Sequence, residues 1–467
     1  MALAKFLLNG GLYLNYTDDG DVAALIALLE RRAADPDNSA WRGFSPMIAY
    51  EYPVPQKLRN AITELHAAEI RKSAGAPLGA LPPPHHAGRA ARARLRVGYV
   101  SADFHGHPTM HLLNSFFGLH DRSRFEVFAY SIGPDDGSAY RRRAIESVDH
   151  FVDIRMEPAR RSAERIRRDG IDILVDLKGY THDARPEIFA LRPAPIQVAW
   201  LGYAASTGTG LNDYAIVDRI AVPEENADQF AESLVWMPHT YQVNDHLQPI
   251  AANAPSRTEL GLPETGFVYA CFNHVFKIEP SVFKSWMRIL ARVPGSVLWL
   301  YASNAAARDN LRREAESRGI DRDRIVFGET MGKPAHLARL ARADLFLDTY
   351  SYNAHTSASD ALWAGVPVLT RPGDAFPARV AASLVSAAGL PQLACRSEQE
   401  YEDTAVRLAG DRPQLEALRH TLAARERLPL FDTPRFTRDL EMAFEMMWRR
   451  HVARLPPASF AVVQAER

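Results

Sequence analysis

Two series of short apolar runs constrain the fold of this chain more than any other feature. Segments with helical spacing separate the runs within each series. Short runs rich in β-branched and aromatic residues, apolar on both faces, are typical of parallel strands that helices cover on both sides. The two series therefore predict an α/β protein with two Rossmann-like, doubly wound lobes that face a cleft. The runs are LRVGYVS (95–101), FEVFAYS (125–131), DILVDLKG (172–179) and IQVAWLGY (196–203), then FVYACFN (267–273), SVLWLYA (296–302), RIVFG (324–328), DLFLDT (344–349) and VPVLT (366–370).

The segments outside the two series predict helices. Residues 21–33 carry apolar side chains at helical spacing, and a second helix is expected from residue 56 to about residue 72. The proline cluster that follows indicates a linker, because proline interrupts helices and central strands. We predict four parts, namely an N-terminal helical region with its linker (1–90), a first lobe (91–250), a second lobe (251–433) and a C-terminal helix (434–467).

Composition excludes several classes of function. Lys and Arg total 55 and Asp and Glu total 56, so the net charge is −1, which argues against nucleic acid or an anionic membrane as the main partner. The chain has two cysteines, too few for a disulfide framework, which fits a reducing cytoplasm. No stretch approaches the roughly 20 apolar residues that a membrane helix needs. We expect a cytoplasmic protein that binds neither nucleic acid nor membrane.

The strongest candidate site follows the run DLFLDT. In an open parallel sheet, ligands bind beyond the carboxyl ends of the strands. Gly365 and Pro367 are typical of a helix end, so the preceding helix must begin near His355. Its first turn offers free N–H groups and a positive dipole end for an anion, and Thr356 and Ser357 add hydroxyl groups. The alternative is that Thr356 or Ser357 only caps the helix.

Other polar side chains follow neighbouring strands. Asp360 lies four residues after Thr356 on the same helix face, where a carboxylate suits ribose hydroxyls. Lys277, after the run FVYACFN, can reach a phosphate as a point charge. Lys333 and His336, after RIVFG, can face a base and a ribose, although two surface residues at a helix start would look the same.

The first lobe offers a histidine-rich loop after LRVGYVS. Asp103, His105, His107 and His111 lie close together in the sequence. One interpretation is a zinc site, since His and Asp are zinc ligands. No cysteine or H-E-x-x-H pattern supports a metal, so we favour acid–base or hydrogen-bonding work on a substrate.

Several long motifs resemble those of protein O-GlcNAc transferases and their bacterial homologues. The resemblance runs from about residue 95 to the C-terminal helix. It implies the two-lobed GT-B fold, UDP-GlcNAc as co-substrate, no cofactor and no metal, and transfer with inversion to Ser or Thr hydroxyls of a protein or peptide acceptor. The motifs are LRVGYVSADFHGHPTMHLL, GYT (179–181), ALRPAPIQVAWLGY, DYAIVD (213–218), MPHTY (237–241), NHVFKIEPSVFKSWMRILARVPGSVLWL, LDTYSYNAHTSASDALWAGVPVLT, RVAASLVSAAGL and EYEDTAVRLAGD.

The resemblance also implies roles for individual residues. In the second lobe, Lys277 would contact the diphosphate and offset charge on the leaving group, and the turn of His355, Thr356 and Ser357 would cradle that diphosphate. The remaining roles that it implies are ribose binding by Asp360 and Lys333, uracil binding by His336, contact with the sugar by Gly202, and a reacting centre lined by Asp103, His107 and Thr109, with Asp103 or His107 as the base.

The sequence departs from the family pattern inside the predicted donor site. His274 replaces an expected glutamine, and Tyr352 replaces a small residue next to the sugar pocket. The loop after Gly202 lacks the usual proline, and the family's long tetratricopeptide array is missing from residues 1–90. The alternatives are therefore a UDP-glucose- or GDP-fucose-dependent protein glycosyltransferase, an epimerase, or a UDP-sugar-binding protein without catalysis.

Overall fold

The computed structural model describes residues 19–35, 45–78 and 94–463, which form two compact units. We call them the five-strand unit and the eight-strand unit after their sheets. The five-strand unit contains residues 19–31, 48–54 and 248–429. The eight-strand unit contains the described residues of 32–47, together with 55–78, 94–247 and 430–463.

The eight-strand unit is built on one parallel sheet with the order β13-β7-β6-β5-β4-β1-β2-β3. Its central strands are buried on both faces, as their apolar runs predict. The strands are β1 (Leu95–Ser101), β2 (Phe125–Ser131), β3 (His150–Asp153), β4 (Ile173–Asp176), β5 (Ile196–Ala199), β6 (Tyr214–Asp218), β7 (Ser233–Met237) and β13 (Phe460–Ala461). The helices that belong wholly to this unit are α3 (Gln56–Ala74), α4 (Pro108–Leu113), α5 (Ala139–Glu146), α6 (Ala159–Asp169), α7 (Glu187–Ala190) and α15 (Thr433–Val452).

The register of β1 and β4 decides which loops meet at the carboxyl edge of this sheet. Val100 of β1 lies opposite Asp176 of β4, so both strands end at nearly the same level. The loops that follow Ser101 and Asp176 therefore start side by side. The two loops carry the polar residues described below.

The five-strand unit is built on a second parallel sheet with the order β10-β9-β8-β11-β12. From β8 the chain continues to β9 and β10 on one side, and then returns to place β11 and β12 on the other side of β8. The boundary between β8 and β11 is therefore the switch point of the sheet. The strands are β8 (Val268–Cys271), β9 (Val297–Tyr301), β10 (Ile325–Gly328), β11 (Leu345–Leu347) and β12 (Val368–Leu369). The helices are α2 (Ile48–Glu51), α8 (Pro280–Arg292), α9 (Ala305–Ser317), α10 (Lys333–Leu340), α11 (Thr356–Trp363), α12 (Val380–Ala387), α13 (Glu398–Gly410) and α14 (Arg412–Ala423).

Helices α8 and α13 pack against each other and connect the core of this unit to the loop after β11. Trp286 is fully buried, and its indole N–H donates to the hydroxyl of Tyr401 over 3.0 Å. That hydroxyl donates in turn to the backbone carbonyl of Asp348 over 2.9 Å. Buried polar groups that bond to each other in this way fix a single arrangement of the core. The chain of hydrogen bonds therefore runs from the hydrophobic core to the end of β11.

The predicted α/β class and the predicted strand runs are confirmed, but four strands were missed. The edge strands β3 and β13 are short and only partly buried, and β6 and β7 also escaped the sequence-based prediction. The predicted helices are observed as α1 (Asp19–Ala34), α3 and α15, while most of the linker, residues 79–93, lies outside the described residues. The four-part domain division stays a prediction. None of the described helices is long and apolar enough to cross a membrane.

Candidate active site

The helix α11 begins where the sequence predicted, and its amino end has no side-chain cap. His355 occupies the N-cap position, and its side chain makes no capping hydrogen bond. The capping alternative for Thr356 and Ser357 is therefore wrong. The partly exposed first turn keeps a positive dipole end, which favours an anion.

Asp348 folds the loop that leads into α11. Its Oδ1 accepts hydrogen bonds from the amides of Thr349 (2.8 Å) and Ala354 (2.6 Å), and its Oδ2 accepts one from the hydroxyl of Thr370 (2.7 Å). Burial raises the pKa of this carboxyl group to about 7, against the opposing effect of these hydrogen bonds and of Lys277. Asp348 was not among the predicted site residues. The available signal was a lone carboxylate at the carboxyl end of an otherwise apolar strand.

Lys277 reaches the start of the same helix from the loop after β8. Its ammonium group donates to the carbonyl of Asn353 over 2.9 Å and lies 4.2 Å from the centre of the Tyr352 ring. Burial lowers the pKa of Lys277 to about 8, although Asp348 and Glu51 raise it. The ammonium group is thus incompletely compensated, and an anion at the amino end of α11 would stabilise it. The predicted convergence of Lys277 with this helix is confirmed.

Aromatic rings pack around Lys277. The ring of Tyr352 stacks on that of His355, with 4.8 Å between centroids and 25° between planes. Burial, with a smaller effect of Lys277, holds the pKa of His355 well below its usual value, so the ring is neutral. Its Nε2 lies 3.1 Å from the carbonyl of Pro377, which assigns the proton to Nε2 and leaves Nδ1 as an acceptor. His355 therefore offers hydrogen bonding and not charge.

His274 lies beside this cluster and fills space near Lys277. Its ring centroid lies 4.9 Å from that of Phe276, and its buried Nδ1 has no hydrogen-bond partner among the described residues. Burial, together with Lys277, lowers the pKa of His274. A buried polar atom without a partner is costly, so this nitrogen is available to a ligand.

Lys333 and Asp360 form a buried ion pair between α10 and α11. The lysine side chain is 6% exposed and the aspartate side chain 8%, so the surface interpretation of Lys333 is wrong. Burial raises the pKa of Asp360, and the ammonium group of Lys333 opposes that rise. His336 lies on the first turns of α10, where its Nδ1 accepts from Nε of Arg339 over 3.1 Å and its ring lies 5.1 Å from Phe272.

In the eight-strand unit, Asp103 is the centre of a second polar cluster. Its Oδ1 accepts a hydrogen bond from Nζ of Lys178 over 2.7 Å, and its Oδ2 accepts one from the hydroxyl of Thr109 over 2.9 Å. His107 places Nδ1 at 3.4 Å from the same Oδ2. Asp103, His107 and Thr109 lie together, as predicted, whereas Lys178 was not among the predicted site residues.

The three histidines of the predicted loop do not meet at one point, although the ring centroids of His105 and His107 lie 5.7 Å apart. The ring of His111 packs against Tyr140, with 4.8 Å between centroids, whereas Nδ1 of His105 lies 3.9 Å from Asp136. In residues 19–35, 45–78 and 94–463, no three His, Cys, Asp or Glu side chains are arranged to hold a metal ion. The zinc interpretation of this loop has no support in this geometry.

Gly202 has a structural reason to be glycine. A Cβ atom at this position would lie 2.0 Å from the backbone oxygen of Leu177, which no other residue tolerates. The following loop is held by buried Glu232, which accepts hydrogen bonds from the hydroxyl of Ser206 and the amide of Thr207, each over 2.7 Å. Contact of Gly202 with a sugar stays a prediction.

The predicted site residues thus fall into two groups at the carboxyl edges of two sheets. The members of the five-strand unit are Lys277, His274, Tyr352, His355, Thr356, Ser357, Lys333, Asp360 and His336, and those of the eight-strand unit are Asp103, His107, Thr109 and Gly202.

Comparisons with known proteins find similar sequences and a similar fold. The sequence profile of Glycosyl transferase family 41 matches residues 42–253 and 249–440. The chain is 40% identical over 431 residues to the probable UDP-N-acetylglucosamine–peptide N-acetylglucosaminyltransferase SEC of Arabidopsis thaliana, and this covers 90% of the chain and 44% of the relative. It is 32% identical over 521 residues to the UDP-N-acetylglucosamine–peptide N-acetylglucosaminyltransferase of Caenorhabditis elegans, which covers 87% of the chain and 45% of that relative.

A solved structure extends the similarity to three dimensions. A mutant of the Thermobaculum terrenum O-GlcNAc transferase superposes with a TM-score of 0.77 and 30% identity, over 92% of this chain and 81% of that one. The chain spans less than half the length of the two curated relatives.

Proposed function

The chain belongs to glycosyl transferase family 41, and we propose that it is an inverting glycosyltransferase that moves GlcNAc from UDP-GlcNAc to Ser or Thr hydroxyls of a protein or peptide. The observation that carries the proposal is the ammonium group of Lys277 at the uncapped amino end of α11. The names of the relatives and of the similar solved structure support the donor and the peptide acceptor. No cofactor is part of the proposal, since the UDP-sugar is a co-substrate.

The donor diphosphate would lie against the first turn of α11. The amides and hydroxyls of Thr356 and Ser357 would donate to phosphate oxygens, and Lys277 would supply the cation. The bound anion would raise the pKa of Lys277 from about 8, so the lysine stays protonated in the complex. This set of donors matches what a diphosphate needs without a metal.

The remaining donor contacts would follow from the buried pair and its neighbours. Asp360, held by Lys333, would accept hydrogen bonds from ribose hydroxyls, and His336 would contact the uracil. His274, Tyr352, Thr109 and Gly202 would lie near the sugar.

The transfer would proceed by attack of the acceptor oxygen on the anomeric carbon while UDP leaves from the opposite face. Negative charge grows on the diphosphate as the bond breaks, so Lys277 and the aligned amides of α11 stabilise the transition state more than the ground state. The acceptor hydroxyl loses its proton, for which Asp103 and His107 are the candidate bases.

The test is a donor panel with the full chain. UDP-GlcNAc, UDP-glucose and GDP-fucose are each incubated with the protein and a mixture of Ser- and Thr-containing peptides, and intact mass records the sugar that is added. We expect addition of one N-acetylhexosamine, with inverted configuration by NMR. Hexose or deoxyhexose addition would replace the donor assignment, isomerisation of the donor without an acceptor would favour an epimerase, and donor binding without any product would favour a binding protein.

Lys277→Ala tests the leaving-group role of the lysine within this scheme. We expect kcat to fall by roughly 100-fold or more, because the variant loses a cation that acts on developing charge. Lys284→Ala is the matched control, since Lys284 is a partly exposed lysine on α8 of the same unit, paired with Asp19 at the surface. Equal, small losses in kcat and in UDP affinity for Lys277→Ala would contradict the role.

A further inference from the structure

We propose that Lys178 is a positioning residue for the transfer reaction, which holds Asp103 in place and through it sets the state of His107. The juxtaposition is a buried lysine from the loop after β4, a buried aspartate from the loop after β1, and a partly exposed histidine beside that aspartate. The proposal rests on the proposed function, because the reaction it serves is that transfer.

Asp176 shapes the turn that places Lys178 beside Asp103. The carboxylate Oδ1 of Asp176 accepts hydrogen bonds from the amides of Lys178 and Gly179, each over 2.9 Å, which turns the chain sharply at the end of β4. Because β4 lies next to β1 in register, this turn aims the lysine at the loop that starts with Ser101. Nζ of Lys178 then meets Oδ1 of Asp103 at 2.7 Å.

The contacts of Asp103 fix the position of its carboxylate group. Its side chain is 6% exposed and that of Lys178 is 5% exposed, so neither charge is compensated by bulk water. The ammonium group of Lys178 occupies Oδ1, and the hydroxyl of Thr109 occupies Oδ2. With both oxygens engaged, Asp103 is held in one position and is poorly placed to take a proton from an acceptor.

His107 is the member of this cluster that reaches solvent. Its side chain is 37% exposed. Its inner nitrogen Nδ1 accepts a hydrogen bond from the amide of Thr109 over 3.2 Å and lies 3.4 Å from Oδ2 of Asp103. Because Nδ1 accepts the Thr109 amide, the neutral ring carries its proton on Nε2, and the carboxylate of Asp103 acts on the ring through its negative charge. Asp103 thus sets the charge beside His107, and Lys178 holds Asp103 in place.

The charges around His107 determine the direction in which Lys178 shifts the pKa of this histidine. Burial lowers the pKa of His107 to about 4, Asp103 raises it, and Lys178 and His105 lower it further. Removal of the lysine charge removes one of these lowering effects and leaves the negative charge of Asp103 without its partner. Both changes raise the pKa of His107.

The experiment compares Lys178→Met with Lys178→Arg in the full chain. Lys57→Met, at an exposed lysine of the same unit, is the matched control. NMR titration of labelled histidines gives the midpoint of His107, assigned with a His107→Gln variant, and the pH profile of kcat/KM for the transfer gives the kinetic counterpart. We expect Lys178→Met to move the His107 midpoint upward from about 4. The acid limb of kcat/KM should move in the same direction, since the neutral imidazole is the active form.

The kinetic constants separate positioning from binding. For Lys178→Met, we expect kcat to fall by about tenfold or more, as for misplaced catalytic groups, while KM for the UDP-sugar changes less than about twofold. Lys178→Arg should recover part of kcat. An unchanged His107 midpoint with unchanged kcat in a folded Lys178→Met protein would overturn the proposal.

A double variant keeps the test decisive if Lys178→Met fails to fold. Asp103→Asn with Lys178→Met removes both buried charges, so no unpaired charge remains. If Lys178 acts through Asp103, the double variant should have the same kcat as Asp103→Asn alone, and an additive further loss would contradict the coupling. If the wild-type protein transfers no sugar, the proposed function fails, but the His107 midpoint still decides whether Lys178 controls that histidine.

Discussion

Replacement of Lys277 by Met should stabilise the ligand-free protein while it weakens UDP binding. The pKa of Lys277 falls from 10.5 to about 8 because the ammonium group is buried. At about 1.4 kcal/mol per pH unit, this fall corresponds to about 3 kcal/mol of folding free energy lost at pH 7. The variant also loses the hydrogen bond to the carbonyl of Asn353, which offsets about 1 kcal/mol. We therefore expect a net gain of about 2 kcal/mol in the free energy of unfolding.

The difference in stability between the wild-type protein and Lys277→Met depends on pH within a defined window. Between pH 8 and 10.5 the unfolded chain binds more protons at Lys277 than the folded protein does. The stability of the wild-type protein relative to Lys277→Met should therefore rise across that window. Binding of UDP should weaken as the pH rises above about 8, because the neutral amine no longer attracts the diphosphate.

Denaturant unfolding with and without UDP, at pH 7 and at pH 9.5, measures both effects. Lys284→Met serves as the control, because this lysine pairs with Asp19 at the surface and should change stability by less than about 0.5 kcal/mol. A Lys277→Met protein that is no more stable than wild type and is equally stabilised by UDP would refute the reasoning about Lys277.

Three further perturbations test other parts of the site. Asp360→Asn leaves Lys333 buried without its partner, so we expect a loss of about 3 kcal/mol in the free energy of unfolding and weaker UDP binding by calorimetry; an unchanged midpoint of denaturation would show that the pair is dispensable. Asp348→Ala removes three acceptor contacts from the loop before α11 and should lower the free energy of unfolding by about 3 kcal/mol. Asp348→Asn keeps an acceptor oxygen and should lower it by less. Equal losses for the two variants would contradict the loop-folding role. Gly202→Ala forces Cβ to within 2.0 Å of the Leu177 oxygen and should lower the melting temperature markedly. Gly118→Ala is the control, because its Cβ would contact only Ser147 at 3.8 Å, and it should leave the melting temperature unchanged. Similar melting temperatures for the two variants would contradict the close approach at Gly202.

The central strands and the start of α11 were predictable because their signals are local. Apolar runs between helical segments identify buried parallel strands, and the combination of Gly365 and Pro367 fixes the far end of α11. The edge strand β3 was missed because His150 and Asp153 are exposed at its ends, which breaks the apolar pattern.

The partners of the charged residues were not predictable, because they depend on strand order. Lys178 and Asp103 are 75 positions apart, and they meet only because β4 lies beside β1. Lys277 and Asn353 are 76 positions apart, and they meet because β8 lies beside β11. A sequence pattern identifies strands but does not show which strands lie side by side in the sheet. A lysine that follows a strand therefore has the same sequence pattern whether it is buried or exposed to solvent.

The hydrogen-bonded chain from Trp286 through Tyr401 to Asp348 gives the protein a built-in optical reporter. The indole of Trp286 is shielded from water, and its N–H is connected through one hydroxyl group to the backbone of the loop that precedes α11. A displacement of that loop by even a fraction of an ångström alters the electrostatic surroundings of the indole. The emission of Trp286 is therefore expected to shift when the loop changes conformation.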